Sequence, residues 1–451
     1  MNQHSQQSTL AGRQIQLLIA AFVVVFVATL ARAADATLLY NATVHTGTGQ
    51  TFTNSGVLIE DGKIAVVLDG KTSLRRTVHE MIDLKGQHIY PGLILVDSAL
   101  GLSEIDAIRA TQDATEVGDY TPDVQSWVAV NPDSELLPVA RANGIAYFEP
   151  APSGGPVAGQ SALLSMSGWT YEQMIVKKPV ALHVYWPALD LNTVPKEKSG
   201  DPKNWKSLED QAKERRARLT ALASFFDEAK AYAKAKAAPT NTVPAPEKIP
   251  AWEAMLPYVR GELPLVIHAD DARQIQSAVA WAATNKVKAI IAGGRDAWMV
   301  AGLLASNNVS VIFEHMFSQP YRDTESYDVH FHTPAVLHAA GVKVIFSQAQ
   351  GGFGAANARN LPYTAAQAIA FGLPEEEALK GITLYPAQLM GVSDRLGSLE
   401  VGKEATLVVC DGNIFDIRAN VKRMWITGKE VSLESRHTKL YEKYKNRPRP
   451  E

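Results

Sequence analysis

Ile89-Tyr-Pro-Gly-Leu-Ile-Leu-Val-Asp-Ser-Ala-Leu-Gly-Leu-Ser-Glu104 divides the chain. Short strands and turns precede it, and a long alternation of apolar strands and helical segments follows. Pro91-Gly92 makes a turn, and Leu93–Val96 has the unbroken apolar character of a strand buried on both faces. Residues two apart on a strand share a face, so Asp97 and Ala99 point the same way. If this strand opens a barrel, both stand at its C-terminal end, where barrel enzymes keep their chemistry.

Downstream, further strands are expected at 145–148, 161–165, 180–184, 263–267, 287–291, 309–313 and 342–346. Helical patterns separate most of them, at 134–142, 272–285, 296–306 and 334–340. With Leu93–Val96 the strands number eight, which predicts an α/β protein built on a (β/α)8 TIM-type barrel over 91–396. No Gly-rich dinucleotide fingerprint follows any strand, which argues against an open doubly wound sheet. Residues 191–250 interrupt the alternation with a charged entry, a long amphipathic helix over about 205–237 and a Pro-rich exit. A connection of that length is read as an insertion over the barrel mouth or against a partner subunit, with a plain solvated helix as the alternative.

Upstream, residues 34–90 read as strands and tight turns; Asp61-Gly62 between two apolar runs is a type I′ hairpin signal. The C-terminal stretch 397–434 supplies more strands, and 435–451 is a basic tail. Neither strand set can close a core alone.

The composition, 46% hydrophobic and 20% charged with net charge -3, is that of a globular enzyme with no basic excess for nucleic acid. The single cysteine, Cys410, excludes intramolecular disulfides and a Cys-rich zinc site, and its apolar neighbours make it an inert core thiol. Arg13, an apolar run over 17–30 and Ala31-Arg32-Ala33 have the layout of a secretory signal peptide cut after Ala33. The run is shorter than the roughly 20 residues that span a bilayer. An exported chain, periplasmic or secreted, with no stable membrane span after cleavage is the expectation.

Pro91-Gly92-Leu93-Ile94, Gly101-Leu-Ser-Glu104, Arg260-Gly-Glu-Leu-Pro-Leu-Val-Ile-His-Ala-Asp-Asp271 and Asp394-Arg-Leu-Gly-Ser-Leu-Glu-Val-Gly-Lys403 resemble the amidohydrolase superfamily, and most closely its imidazolonepropionase-like and dipeptidase-like branch. Trp425-Ile-Thr-Gly-Lys-Glu-Val431 resembles that family's last hairpin. The resemblance implies that the two chain ends build one small composite β-sandwich beside the barrel. It implies hydrolysis of C–N bonds, other than ordinary peptide bonds, in a small-molecule amide or short peptide. One or two divalent ions, zinc by resemblance, would be held by two His on strand 1, a Lys or Glu on strand 4, a His each on strands 5 and 6, and an Asp on strand 8. Here the pattern departs. Asp97 and Ala99 stand for the strand 1 histidines, Gly293 for the strand 6 histidine, and Gln348 or Ala349 for the strand 8 aspartate. Strand 4 shows no suitable lysine, since Lys177-Lys178 precede it at the wrong end. His268 holds the strand 5 position. His268 and Asp97 are therefore the candidate metal ligands, for at most one weakly held divalent ion. Glu314-His315 and His330-x-His332, the latter read as loop, are read as packed or solvated groups. The competing expectation is a non-catalytic binding or scaffold paralogue of an intact amidohydrolase, in a homo- or hetero-oligomer.

Overall fold

The computed structural model describes residues 36–71, 78–238 and 246–448. The segment read as a signal peptide and most of the Pro-rich exit lie outside them. No helix among the described residues is long and apolar enough to cross a membrane.

The strands of the described residues form two eight-stranded sheets. The first is built from both chain ends. Strands β1 (Thr37–His45), β2 (Thr51–Glu60), β3 (Lys63–Val67), β4 (Glu80–Asp83) and β5 (His88–Pro91) come from the N-terminal side. They are joined by the last three strands of the chain, Leu407–Cys410, Val421–Ile426 and Lys429–Glu430. The join is antiparallel, with Tyr90 opposite Val408 and Ile89 opposite Val409. One core, with Leu39, Val57, Ile89, Leu407, Val409 and Trp425, draws on both ends. The Asp61-Gly62 hairpin forms as the turn chemistry requires, with φ of 50° and 76°.

The second sheet is the barrel wall: β6 (Leu93–Ser98), β7 (Ile145–Pro150), β8 (Val157–Ser165), β9 (Ile175–Tyr185), β10 (Leu265–Ala269), β11 (Ala289–Gly293), β12 (Ser310–Phe313) and β13 (Val344–Phe346), in that order. The C-terminal strands of the first sheet are then β14, β15 and β16. The Ser347 hydroxyl bridges the first and last barrel strands, donating to the carbonyl of Val96 at 2.8 Å, with that of Asp97 at 3.1 Å.

All eight expected strands form, but the third runs backwards. β8 is antiparallel to both β7 and β9. The short link 151–156 dictates this, because a parallel crossover needs a dozen or more residues, usually a helix.

The long helix of the 191–250 segment spans Leu208–Ala237, capped by the Ser207 side chain on Asp210 N. Its buried face packs on the barrel's outer helices, and Phe225 also stacks on Tyr120 of the loop after β6 at 4.6 Å. Leu222, Phe226, Ala229 and Tyr232 recur at helical spacing and are buried. Phe226 meets Trp281 of the helix Ala272–Asn285 edge-on at 4.7 Å, and Phe225 meets Trp252 of the helix Pro250–Val259 at 4.9 Å. This is the barrel's outer helix between strands four and five, lengthened. Its first turn is exposed.

Candidate metal centre

The barrel axis should be dry and apolar, yet five polar residues converge there. Asp97 lies near the end of β6, Glu149 on β7, Ser161 on β8, His183 on β9 and His268 on β10. Asp97, Glu149, Ser161 and His183 are fully buried. Asp97 adopts a left-handed φ of 52°, uncommon for any side chain but glycine.

His183 Nδ1 faces His268 Nε2 at 3.1 Å, and Asp97 Oδ2 lies 3.8 Å from His268 Nδ1. One ligand atom from each of Asp97, His183 and His268 falls within 4.8 Å of the others. Behind them, Glu149 accepts from Asp97 N at 3.0 Å, from Ser161 Oγ at 2.5 Å and from His183 Nε2 at 3.2 Å. Gln350 donates to Asp97 Oδ1 at 2.6 Å and accepts from Tyr185 OH at 2.6 Å. The Tyr185 ring stacks on His268 at 4.1 Å.

Burial pushes His268 down to about 4, against the pull of Asp97, so it is neutral and able to ligate. Burial alone would raise Asp97, but the neighbouring His268 and hydrogen bonding hold it below its usual range. Glu314, just after β12, is pushed well above its usual range by burial and by the charge of Asp97. Asp97 Oδ2 and Glu314 Oε1 are buried without a partner of good hydrogen-bond geometry, and the Glu314 and Asp97 carboxyls interact with each other. A buried carboxylate beside two imidazoles is the donor set expected of a divalent cation site. A cavity of about 270 Å³ opens over it, lined by Trp186, His268, Asp270, Gly293, Glu314 and Gln350.

The candidate ligands His268 and Asp97 are thus brought together, and His183 joins them. A second ion does not fit. Ala99 has no donor. At Gly293, φ is +87° and a Cβ would lie 2.5 Å from Asp270 Oδ1, so the Asp270 carboxylate fills the place a histidine would need. Asp270 accepts instead from His315 Nε2 at 2.7 Å. Gln348 turns to Thr364 in the helix Leu361–Ala370, and Ala349 takes a left-handed φ of 61°, so Gln350, not either of them, faces the centre. His330 and His332 lie in the helix Val329–Ala339 and not in a loop; Pro334, read as a helix start, sits inside it. Lys177 donates to the carbonyls of Met390 and Gly391, remote from the mouth.

The chain thus forms an eight-stranded barrel with a cluster of His and carboxylate groups at its strand ends that could hold a metal ion. The chain is similar to the amidohydrolases: the amidohydrolase family model matches residues 285–431. The chain is 26% identical to an amidohydrolase from Thermotoga maritima MSB8, with a TM-score of 0.74 over 88% of this chain and 99% of that one. It is 22% identical over 422 residues to amidohydrolase tasK of Hapsidospora irregularis, covering 85% of this chain. The chain spans only 40% of that relative's length. A shorter match, 44% identical over 64 residues and 14% of each protein, is to an N-acetylglucosamine-6-phosphate deacetylase of Caenorhabditis elegans.

Proposed function

We propose that this chain is an exported hydrolase of C–N bonds in a small amide or short peptide, working with one divalent ion held by Asp97, His183 and His268. The observation that carries the reading is the grouping of Asp97, His183 and His268, each with a ligand atom within 4.8 Å of the others, beside an open cavity. Three protein ligands with one open position is the usual plan of a catalytic zinc site. Such an ion supplies Lewis acidity, activating water at neutral pH and polarising an amide carbonyl. The chain's own groups do the rest. Gln350, oriented by Tyr185, fixes which Asp97 oxygen is free. Tyr185 holds the plane of His268. Asp270 lies on the cavity wall; burial pushes its pKa up, but His315 pulls it below its usual range, leaving it ionised and placed to accept a proton from the reacting water. The test is amide hydrolysis by zinc- or manganese-loaded protein, with loss in His183→Ala and His268→Ala.

The losses at Ala99, Gly293 and Gln348 favour a second reading, a scaffold that pairs with an intact relative. A loaded protein that cleaves no amide but co-purifies with a related chain would decide for it. Export rests on residues 13–33 alone, and N-terminal sequencing of the natural protein should find a chain beginning at Ala34.

A further inference from the structure

We propose that Glu149 is the positioning residue of this centre, setting the tautomer of His183 and the backbone of Asp97 together; the claim rests on the single-ion reading above. Its two oxygens do different work. Oε2 accepts from the backbone N of Asp97 at 3.0 Å, at a residue whose left-handed φ must be held by its surroundings. Oε1 takes the hydroxyl proton of Ser161 at 2.5 Å. Ser161 has only that one proton, so towards His183 Nε2, at 3.1 Å, its oxygen can only accept. Glu149 Oε1, at 3.2 Å from the same nitrogen, also accepts. Nε2 therefore carries the hydrogen, and the lone pair of Nδ1 is turned toward His268 and Asp97, 3.1 and 4.0 Å away. A histidine ligand whose far nitrogen donates to a carboxylate is fixed in tautomer and ring plane.

Only a carboxylate satisfies all three donors. Glutamine has nearly the same shape but a single acceptor oxygen. If that oxygen serves Asp97 N, the amide NH2 faces His183 and drives its hydrogen to Nδ1, covering the ligand lone pair. If the amide turns over, two N–H groups meet at Asp97. Either way one ligand is lost without a change of volume, and all the groups involved are too buried for water to substitute.

The tautomer can be read in metal-free protein labelled with ¹⁵N-histidine. Wild type should show His183 protonated at Nε2, and Glu149→Gln should show Nδ1–H or a mixture. Zinc affinity of Glu149→Gln, by competition with a chromophoric chelator, should be roughly 10–100-fold weaker than wild type. Wild-type His183 protonated at Nδ1, or a Glu149→Gln protein unchanged in both tautomer and affinity, overturns the proposal. The wild-type spectrum needs no variant, so a misfolded mutant leaves the proposal exposed to refutation. If wild type shows the expected tautomer yet binds no zinc, the single-ion reading fails while the hold of Glu149 on His183 stands.

Discussion

Phe226→Ala separates a packed barrel helix from a plain solvated one. The side chain is 0% exposed and meets Trp281 edge-on at 4.7 Å and 74°. Moving a phenylalanine of that burial out of water contributes roughly 1.5–3 kcal/mol. The aromatic pair adds roughly 0.5–1.5 kcal/mol, and the cavity left behind brings the total into the usual range of about 3–5 kcal/mol for Phe→Ala. Leu208→Ala, on the same helix but 48% exposed, should stay within about 0.5 kcal/mol. The assay is urea unfolding at several protein concentrations, read as a shift in midpoint at constant slope. A Phe226→Ala loss below about 1 kcal/mol would refute the packing. So would a loss that appears only on dilution, since the helix would then be packing on a partner subunit.

Gly293→His should not rebuild a second ion site: its Cβ would meet Asp270 Oδ1 at 2.5 Å with φ at +87°, so lowered thermal stability and no added zinc equivalent are expected. Burial and the neighbouring His88 hold His45 at about 4, below its ordinary 6.5. Unfolded His45 takes up a proton that the folded form refuses, so stability is full above pH 6.5 and falls as pH drops toward about 4. Allowing for solvent screening of a partly exposed group, the loss is about 1–2 kcal/mol, and His45→Asn should flatten that part of a stability–pH curve. Burial raises the Cys410 thiol to about 11, so a thiol reagent at neutral pH should react only after denaturation.

The barrel was legible because its strands are unbroken apolar runs, and the composite sheet because neither strand set could bury its face alone. The reversed third strand was legible too, in a link too short for a crossover, but counting strands does not register direction. At the centre, family position pointed to Asp97 and His268. His183 and Glu149 carried a plainer signal: each is a lone polar residue inside or ending an otherwise apolar strand, Val180-Ala-Leu-His-Val184 and Ile145-Ala-Tyr-Phe-Glu149. A buried polar side chain in such a place needs a partner. The family pattern places a Lys or Glu on strand 4, so it does not mark His183 there. Gln350 was hidden by backbone geometry, since the left-handed Ala349 breaks the period of two after β13 and shifts which residue faces inward. The packed face of the long helix was legible in Leu219, Leu222 and Phe225-Phe226, but not which helices it meets, since Trp252 and Trp281 are distant in sequence.

The most direct test of the single-ion centre is elemental analysis of the protein after loading with zinc and exhaustive dialysis, beside His183→Ala treated in the same way. The account predicts one equivalent of zinc per wild-type chain, with no second equivalent at any loading, and well under one in the variant. Two equivalents in wild type, none, or one equivalent that His183→Ala retains would contradict it.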